Sequence, residues 1–180
     1  MKRAIKCGAP KSPLVRSLCD SALMQRRPRT AVSCLAILLL LPLADCSRHG
    51  GPGLSRYRPN CGICHHGGEG MKGEIPPLIG RIDQIARTPE GRHYLADVLL
   101  NGLNGPLIAN GDRYNFSMPS FRRLPDQDIA AILTYLSAAG DRPDPPVFHA
   151  ADIAAQRTPV LSPSAVADER RALDKIHPLP

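Results

Sequence analysis

Apolar residues fall along this chain in two patterns, separated by stretches broken by Pro and Gly. From Ala31 to Ala44 they run almost without interruption, through Leu35, Ala36, Ile37, Leu38, Leu39, Leu40 and Leu41. Further on, Ile129, Ile132, Leu133 and Leu136 recur at i, i+3, i+4 and i+7, which is one face of an amphipathic helix. The spacing predicts a helix over 126–139. Pro125 precedes it, Asp126 and Asp128 suit its positive end, and Gly140 ends it. Leu95, Val98, Leu99, Gly102 and Leu103 mark a second helix with Thr88 as N-cap and Pro89 at its first position. The remainder is rich in turn formers, with 19 Pro and 15 Gly, and 67–80 and 107–123 read as loops.

The unbroken run is short for a membrane span, which needs about 20 apolar residues, and it contains Pro42. Gln25-Arg26-Arg27-Pro28-Arg29-Thr30 lies before it as a positive flank, and together they read as an export signal. The residues before Met24 add nothing to such a signal, so Met24 is a candidate start. Residues 1–46 are therefore expected to form a leader. Leu43-Ala44-Asp45-Cys46 resembles the end of a lipoprotein signal, with Cys46 as the lipidated residue, although Asp45 stands where a small residue is preferred. A periplasmic chain follows, either free or tethered to the membrane through its N-terminus.

Charge divides the chain at the same place. The formal total is +7, but residues 1–45 hold eight Lys and Arg against two Asp, and the rest holds fifteen against fourteen acids. The basicity belongs to the leader and gives no reason to expect nucleic acid. Trp is absent and aromatics make up 4% of residues. A small core this poor in aromatics needs a staple, whether disulfide, metal or cofactor.

The cysteines point to which staple. Cys7, Cys19 and Cys34 lie in the leader and Cys46 at its end, leaving Cys61 and Cys64. Cys61-Gly62-Ile63-Cys64-His65 is C-x-x-C-H, the attachment signature of c-type haem. Two thiols at this spacing on a helical turn can each add to a vinyl group of one haem, and the adjacent His65 then presents its imidazole to the iron. The single motif predicts one covalent haem c per chain. Asn60 is the candidate N-cap of the short helix. The same residues allow two other uses. A zinc site from Cys61, Cys64, His65 and His66 would have poor tetrahedral geometry and no second Cys/His pair. A thioredoxin-like pair would need a strand–helix context that the Gly-rich flanks do not give.

A further axial ligand is expected beyond the motif. Met1 and Met24 are in the leader, and Met71 falls in the loop just after His65. Met118 lies in Asn115-Phe116-Ser117-Met118-Pro119-Ser120-Phe121, where Pro119 stiffens the backbone. A thioether is a soft ligand that favours Fe(II) and raises the reduction potential. The rivals are His49, His66, His93, His149 and His177, none in so constrained a setting.

With these residues the chain resembles a class I cytochrome c. The matching positions are Cys61, Cys64 and His65, then Ile75-Pro76-Pro77-Leu78-Ile79-Gly80, then Met118-Pro119-Ser120-Phe121, then the helix over 126–139. The resemblance implies an all-α fold of a few short helices around one covalent haem. It also implies that the carbonyl of Pro76 or Pro77 accepts a hydrogen bond from the His65 imidazole. His66 departs from the pattern, standing where many relatives have Gly, and is expected to be solvated. Asn101-Gly102-Leu103-Asn104-Gly105-Pro106-Leu107, with Gly111 and Tyr114, is similar to small cytochromes that serve bacterial dehydrogenases and oxidases.

The implied function is one-electron transfer to or from a dehydrogenase or terminal oxidase partner. Iron ligated by both His65 and Met118 leaves no open position for a substrate, so the chain is expected to be a carrier rather than an enzyme. The rival is a haem enzyme or gas sensor with an open distal site, which requires that Met118 not bind. The cytochrome domain is expected over 47–140, with 47–56 a linker or frayed helix start and Tyr57 poised to pack on the last helix. From Asp141 a Pro-rich linker opens a C-terminal arm, 141–180. Residues 151–157 and 164–170, the latter capped by Ser162, mark two short helices in it. The arm is expected to lie over the domain or a partner, or to be a disordered extension.

Overall fold

A computed structural model describes residues 51–180, so the leader over 1–46, Met24, Cys46 and His49 lie outside the described residues. In chain order the elements begin with helices α1 (Pro52–Asn60), α2 (Gly62–His65), α3 (Ile82–Ile85) and α4 (Pro89–Asn101). An antiparallel hairpin of β1 (Leu107–Ala109) and β2 (Asp112–Tyr114) follows, then helices α5 (Asp126–Ala138), α6 (Ala150–Ala155) and α7 (Pro163–Ile176). The architecture is mostly helical, as expected of a class I cytochrome c. The hairpin lies within the segment expected to be loop.

The two periodic helices form for the reasons their sequences give. Thr88 Oγ1 accepts a hydrogen bond from the Gly91 N–H at 3.0 Å, and Pro89 opens α4. In α5, Ile129, Ile132 and Leu133 have no exposed surface, and Leu136 is buried beside them. Each such side chain is worth roughly 1.5–3 kcal/mol relative to leaving it in water.

Helix α1 occupies residues expected to be a linker or a frayed start. Its sequence carries only Leu54 and Tyr57 as large apolar side chains, too few to mark a face. Packing on α5 forms it. A Cβ at Gly53 would meet the Ala131 carbonyl oxygen at 2.3 Å, so the two backbones cross almost in contact. Tyr57 is buried against Tyr135, ring centroids 5.5 Å apart and planes tilted by 44°. Asn60 does not cap the motif helix. It ends α1, its Nδ2 donates back to Arg56 O, and the cap position of α2 is Cys61, which makes no side-chain cap. The backbone continues almost helically across the junction, with Cys61 N–H bonded to Tyr57 O at 2.8 Å and His65 N–H to Cys61 O at 2.9 Å.

Residues beyond Asp141 fold onto the rest. Phe148, Ile153, Val166, Ala167 and Leu173 are all buried, with α6 against α5 and α7 against α4. Ser162 Oγ accepts from Ala165 N–H at 3.1 Å and starts α7. Arg157 clamps the arm to the base of α5: its guanidinium donates to Asp126 Oδ1 at 2.6 Å, to Arg122 O at 2.9 Å and to Leu124 O at 2.8 Å.

Candidate functional site

Helix α2 is a single turn carrying the motif. Cys61 is buried, Cys64 exposed, and both are free thiols. Burial, and then the neighbouring Cys64, push the Cys61 thiol up to about 11. His65 is buried, with Nδ1 3.0 Å from the carbonyl oxygen of Pro76. A carbonyl can only accept, so Nδ1 carries the proton and Nε2 keeps the lone pair. Burial lowers the His65 pKa; the bond to Pro76 opposes that, and Arg81 and His66 add to it. Neutral imidazole is the form that ligates a metal. The Pro77 carbonyl is engaged elsewhere, accepting from Arg81 Nη1 at 2.8 Å.

The loop after α2 is folded back on itself to bring Pro76 there. Met71 and Ile75 exchange two backbone bonds, of 2.7 and 2.8 Å, and Leu78 N–H reaches Gly68 O at 2.8 Å. His66 is exposed and leaves α2 in a left-handed conformation, φ +52°. Its carbonyl accepts from the Tyr57 hydroxyl at 3.0 Å. Tyr57 thus ties α1, α2 and α5 together, a role of its hydroxyl that the apolar pattern does not signal.

Met118 is held by a short antiparallel bridge. Its N–H donates to Leu103 O at 2.8 Å, and Leu103 N–H returns a bond to Met118 O at 3.0 Å. Gly102 permits the approach. Its φ of +80° and ψ of 179° belong to a region open essentially to glycine alone, and a Cβ there would lie 2.6 Å from Met118 O. Beyond Met118, Ser120 Oγ donates to Leu100 O at 2.5 Å and Phe121 N–H to Leu99 O at 2.7 Å. The Met loop is therefore fastened to the C-terminal turn of α4.

His65, Met118 and Cys64 line one cleft, about 510 Å³ including its open mouth. Its other walls are largely apolar, from Ile75, Pro76, Leu103, Leu107, Tyr114 and Pro119. Cys61 sits one turn before His65 at the start of α2. The hairpin, not foreseen in the sequence, contributes Leu107 and Tyr114. His66, His93, His149 and His177 are exposed and outside this cleft, as is Met71. Two thiols, an imidazole with its Nε2 unprotonated and a thioether around an apolar cleft are a donor set that fits a covalent haem. The other uses of the motif fit less well. Among the described residues no three His, Cys, Asp or Glu side chains gather to hold a metal ion, and the motif follows a helix rather than a strand.

Comparison with known proteins finds cytochromes. A family model described as "Cytochrome C oxidase, cbb3-type, subunit III" matches residues 51–136. A cytochrome c-552 of Thermus thermophilus is 36% identical over 148 residues, covering 77% of this chain and 95% of that protein. A second cytochrome c-552 of Thermus thermophilus is 38% identical over 122 residues, covering 63% of this chain and 90% of its own length. No helix among the described residues is long and apolar enough to cross a membrane.

Proposed function

The chain belongs to the c-type cytochromes, whose business is haem-based electron transfer, and from that premise we propose a one-electron carrier with His/Met-ligated iron and one haem c per chain. Cys61 and Cys64 anchor the group covalently, while His65 and Met118 ligate it. When bound, haem c supplies an iron that cycles between Fe(III) and Fe(II). The chain's own residues do the rest. Pro76 O fixes the His65 ring and its tautomer, and the Leu103 bridge holds the Met118 backbone. Leu103, Leu107 and Pro119 keep water from the cleft. Iron held by both His65 and Met118 would have no position free for substrate, which is why the proposed role is carrier rather than enzyme. Exposed Ile63 and Phe116, with Cys64, give a redox partner an apolar approach to the site. The partner is a dehydrogenase or a terminal oxidase, met as a free carrier or as a subunit of such a complex. Export by the leader puts the exchange in the periplasm, with or without a lipid tether at Cys46.

The observation that carries this proposal is that His65 and Met118 line the same apolar cleft. The oxidised visible spectrum of the purified protein tests it. A weak far-red charge-transfer band from a thioether on low-spin Fe(III) is expected. A high-spin spectrum would instead favour an open distal site, and with it the enzyme or gas-sensor alternative.

A further inference from the structure

Beside the cleft lies a larger cavity, about 1410 Å³ including its open mouth, sharing Leu107, Tyr114 and Phe116 with it. Its wall carries Arg113 from the hairpin and Arg170 and Arg171 from α7. Arg171 is exposed and pairs with Asp168. Arg170 is different, with only 8% of its surface exposed. Its Nη2 donates to Ile108 O at 2.8 Å, and the guanidinium stands 6.0 Å above the Tyr94 ring. A guanidinium has five N–H donors, so one carbonyl leaves four more. Arg81, 4% exposed, is close enough to feel it: burial first, then the charge of Arg170, push Arg81 down to about 10. Arg81 spends its donors on Pro77 O and Pro180 O. Among the described residues neither arginine pairs with an Asp or Glu side chain. Asp174, also on the cavity wall, accepts from Leu179 N–H.

Arg81 is met by the two bonds to Pro180 O, but Arg170 is a buried cation with a carbonyl and no carboxylate partner, which is costly unless an anion completes its shell. The haem reading, on which this step rests, supplies one. Haem c bears two propionates on the edge of the macrocycle away from its thioethers. The thioether edge is fixed by Cys61 and Cys64, and the arginine-lined cavity adjoins the cleft through Leu107, Tyr114 and Phe116. We infer that Arg170, a residue of the C-terminal arm, receives a haem propionate and positions it, with Arg81 beside it. The arm is then part of the haem site. A fixed positive charge there favours the reduced iron and keeps the propionate ionised.

Redox titration of the holoprotein against pH tests this. Arg170→Met should lower the midpoint potential and introduce a pH dependence across the neutral range, as the propionate takes up a proton on reduction. Arg170→Lys should restore most of both. Lys175→Met, which removes an exposed charge from the same helix, should change neither. The other groups around the position are Tyr94 from α4, Arg113 and Tyr114 from β2, and Glu169, Arg171 and Asp174 on α7. Glu169→Gln and Asp174→Asn backgrounds remove the two carboxyls among them. Folded Arg170→Met holoprotein with the wild-type potential and pH profile would overturn the inference. Should that variant not accumulate, the Arg170 Nε resonance of the wild-type protein decides: a change on reduction of the iron is expected, and its absence overturns the inference. Wild-type protein without covalent haem would instead sink the proposed function itself.

Discussion

Replacing Gly102 by Ala should loosen Met118 from the iron while leaving the rest of the protein folded. The new Cβ would fall 2.6 Å from Met118 O, 3.1 Å from Ser120 N and 3.2 Å from the Pro119 carbonyl carbon, all of them backbone atoms that cannot simply rotate away. The residue would also be held at φ +80°, ψ 179°. Strain of this kind is worth about 1–3 kcal/mol. Much of it is relieved if segment 118–120 withdraws from α4, which breaks the two bonds between Leu103 and Met118. Relief of 1–3 kcal/mol raises the population of the withdrawn form by about 5- to 150-fold. On the proposed ligation imidazole reports that population, because it would bind ferric iron only when Met118 is off. Its apparent Kd should fall by the same factor. Gly111→Ala is the control. Gly111 also has a positive φ, of +82°, but no atom lies within 4 Å of the position its Cβ would take. It should lose stability without gaining imidazole affinity. Folded Gly102→Ala holoprotein with wild-type imidazole affinity would show that the bridge does not control the ligand.

Other outcomes are equally open to measurement. The red colour should stay with the polypeptide through acid–acetone extraction, at one haem per chain by pyridine haemochrome assay; haem in the acetone layer would rule out attachment at Cys61 and Cys64. Met118→Ala should lower the reduction potential and admit CO or azide, and an unchanged potential would hand the sixth position to another side chain. Stability should fall with rising pH through the weakly acidic range. Burial, and then Asp97, raise the Glu169 carboxyl from its ordinary 4.5 to about 7, and one of its oxygens is buried without a partner. The folded form therefore holds a proton that the unfolded chain has released, so stability is highest below 4.5, declines towards 7 and levels off above. Urea midpoints across that range should show the decline, and Glu169→Gln should flatten it.

How much of this is legible in the sequence depends on whether the determining contacts are local. The α4 start is written in Thr88-Pro89, and the buried face of α5 in Ile129, Ile132, Leu133 and Leu136, because caps and helical periodicity act within a few residues. Cys61, Cys64 and His65 are legible for the same reason. Met118 stands out by its Pro neighbour and by resemblance, and the structure lays it in a cleft with His65. What cannot be read locally is what long-range packing decides. Helix α1 exists because Gly53 can come down on Ala131, and nothing in Pro52-Gly53-Leu54-Ser55-Arg56 announces the partner. Asn60 has the composition of an N-cap, but α1 runs straight through it towards Cys61, so it has no free helix start to cap. Arg170 reads as one of several charges in a polar helix, and its burial depends on Tyr94 and Ile108, which are distant in the chain.

The arm also answers the question that composition raises. Helix α4 is buried nearly all round: Tyr94, Leu95, Ala96, Val98, Leu99 and Leu100 are all out of solvent. A helix buried on nearly every side needs cover on nearly every side, and α3 and α5 reach only part of it. The remainder is closed by α6 and α7, which bring Ile153, Val166 and Leu173. A chain with 4% aromatics thus obtains from its own C-terminus a share of the burial that bulkier side chains would supply. The consequence reaches the site, because the C-terminal end of α4 carries Gly102 and Leu103, and Leu103 holds Met118. The same α7 that steadies α4 carries Arg170 to the cavity beside the cleft. One element therefore bears on the site in two ways: mechanically, through α4 and the methionine, and electrostatically, through a buried charge.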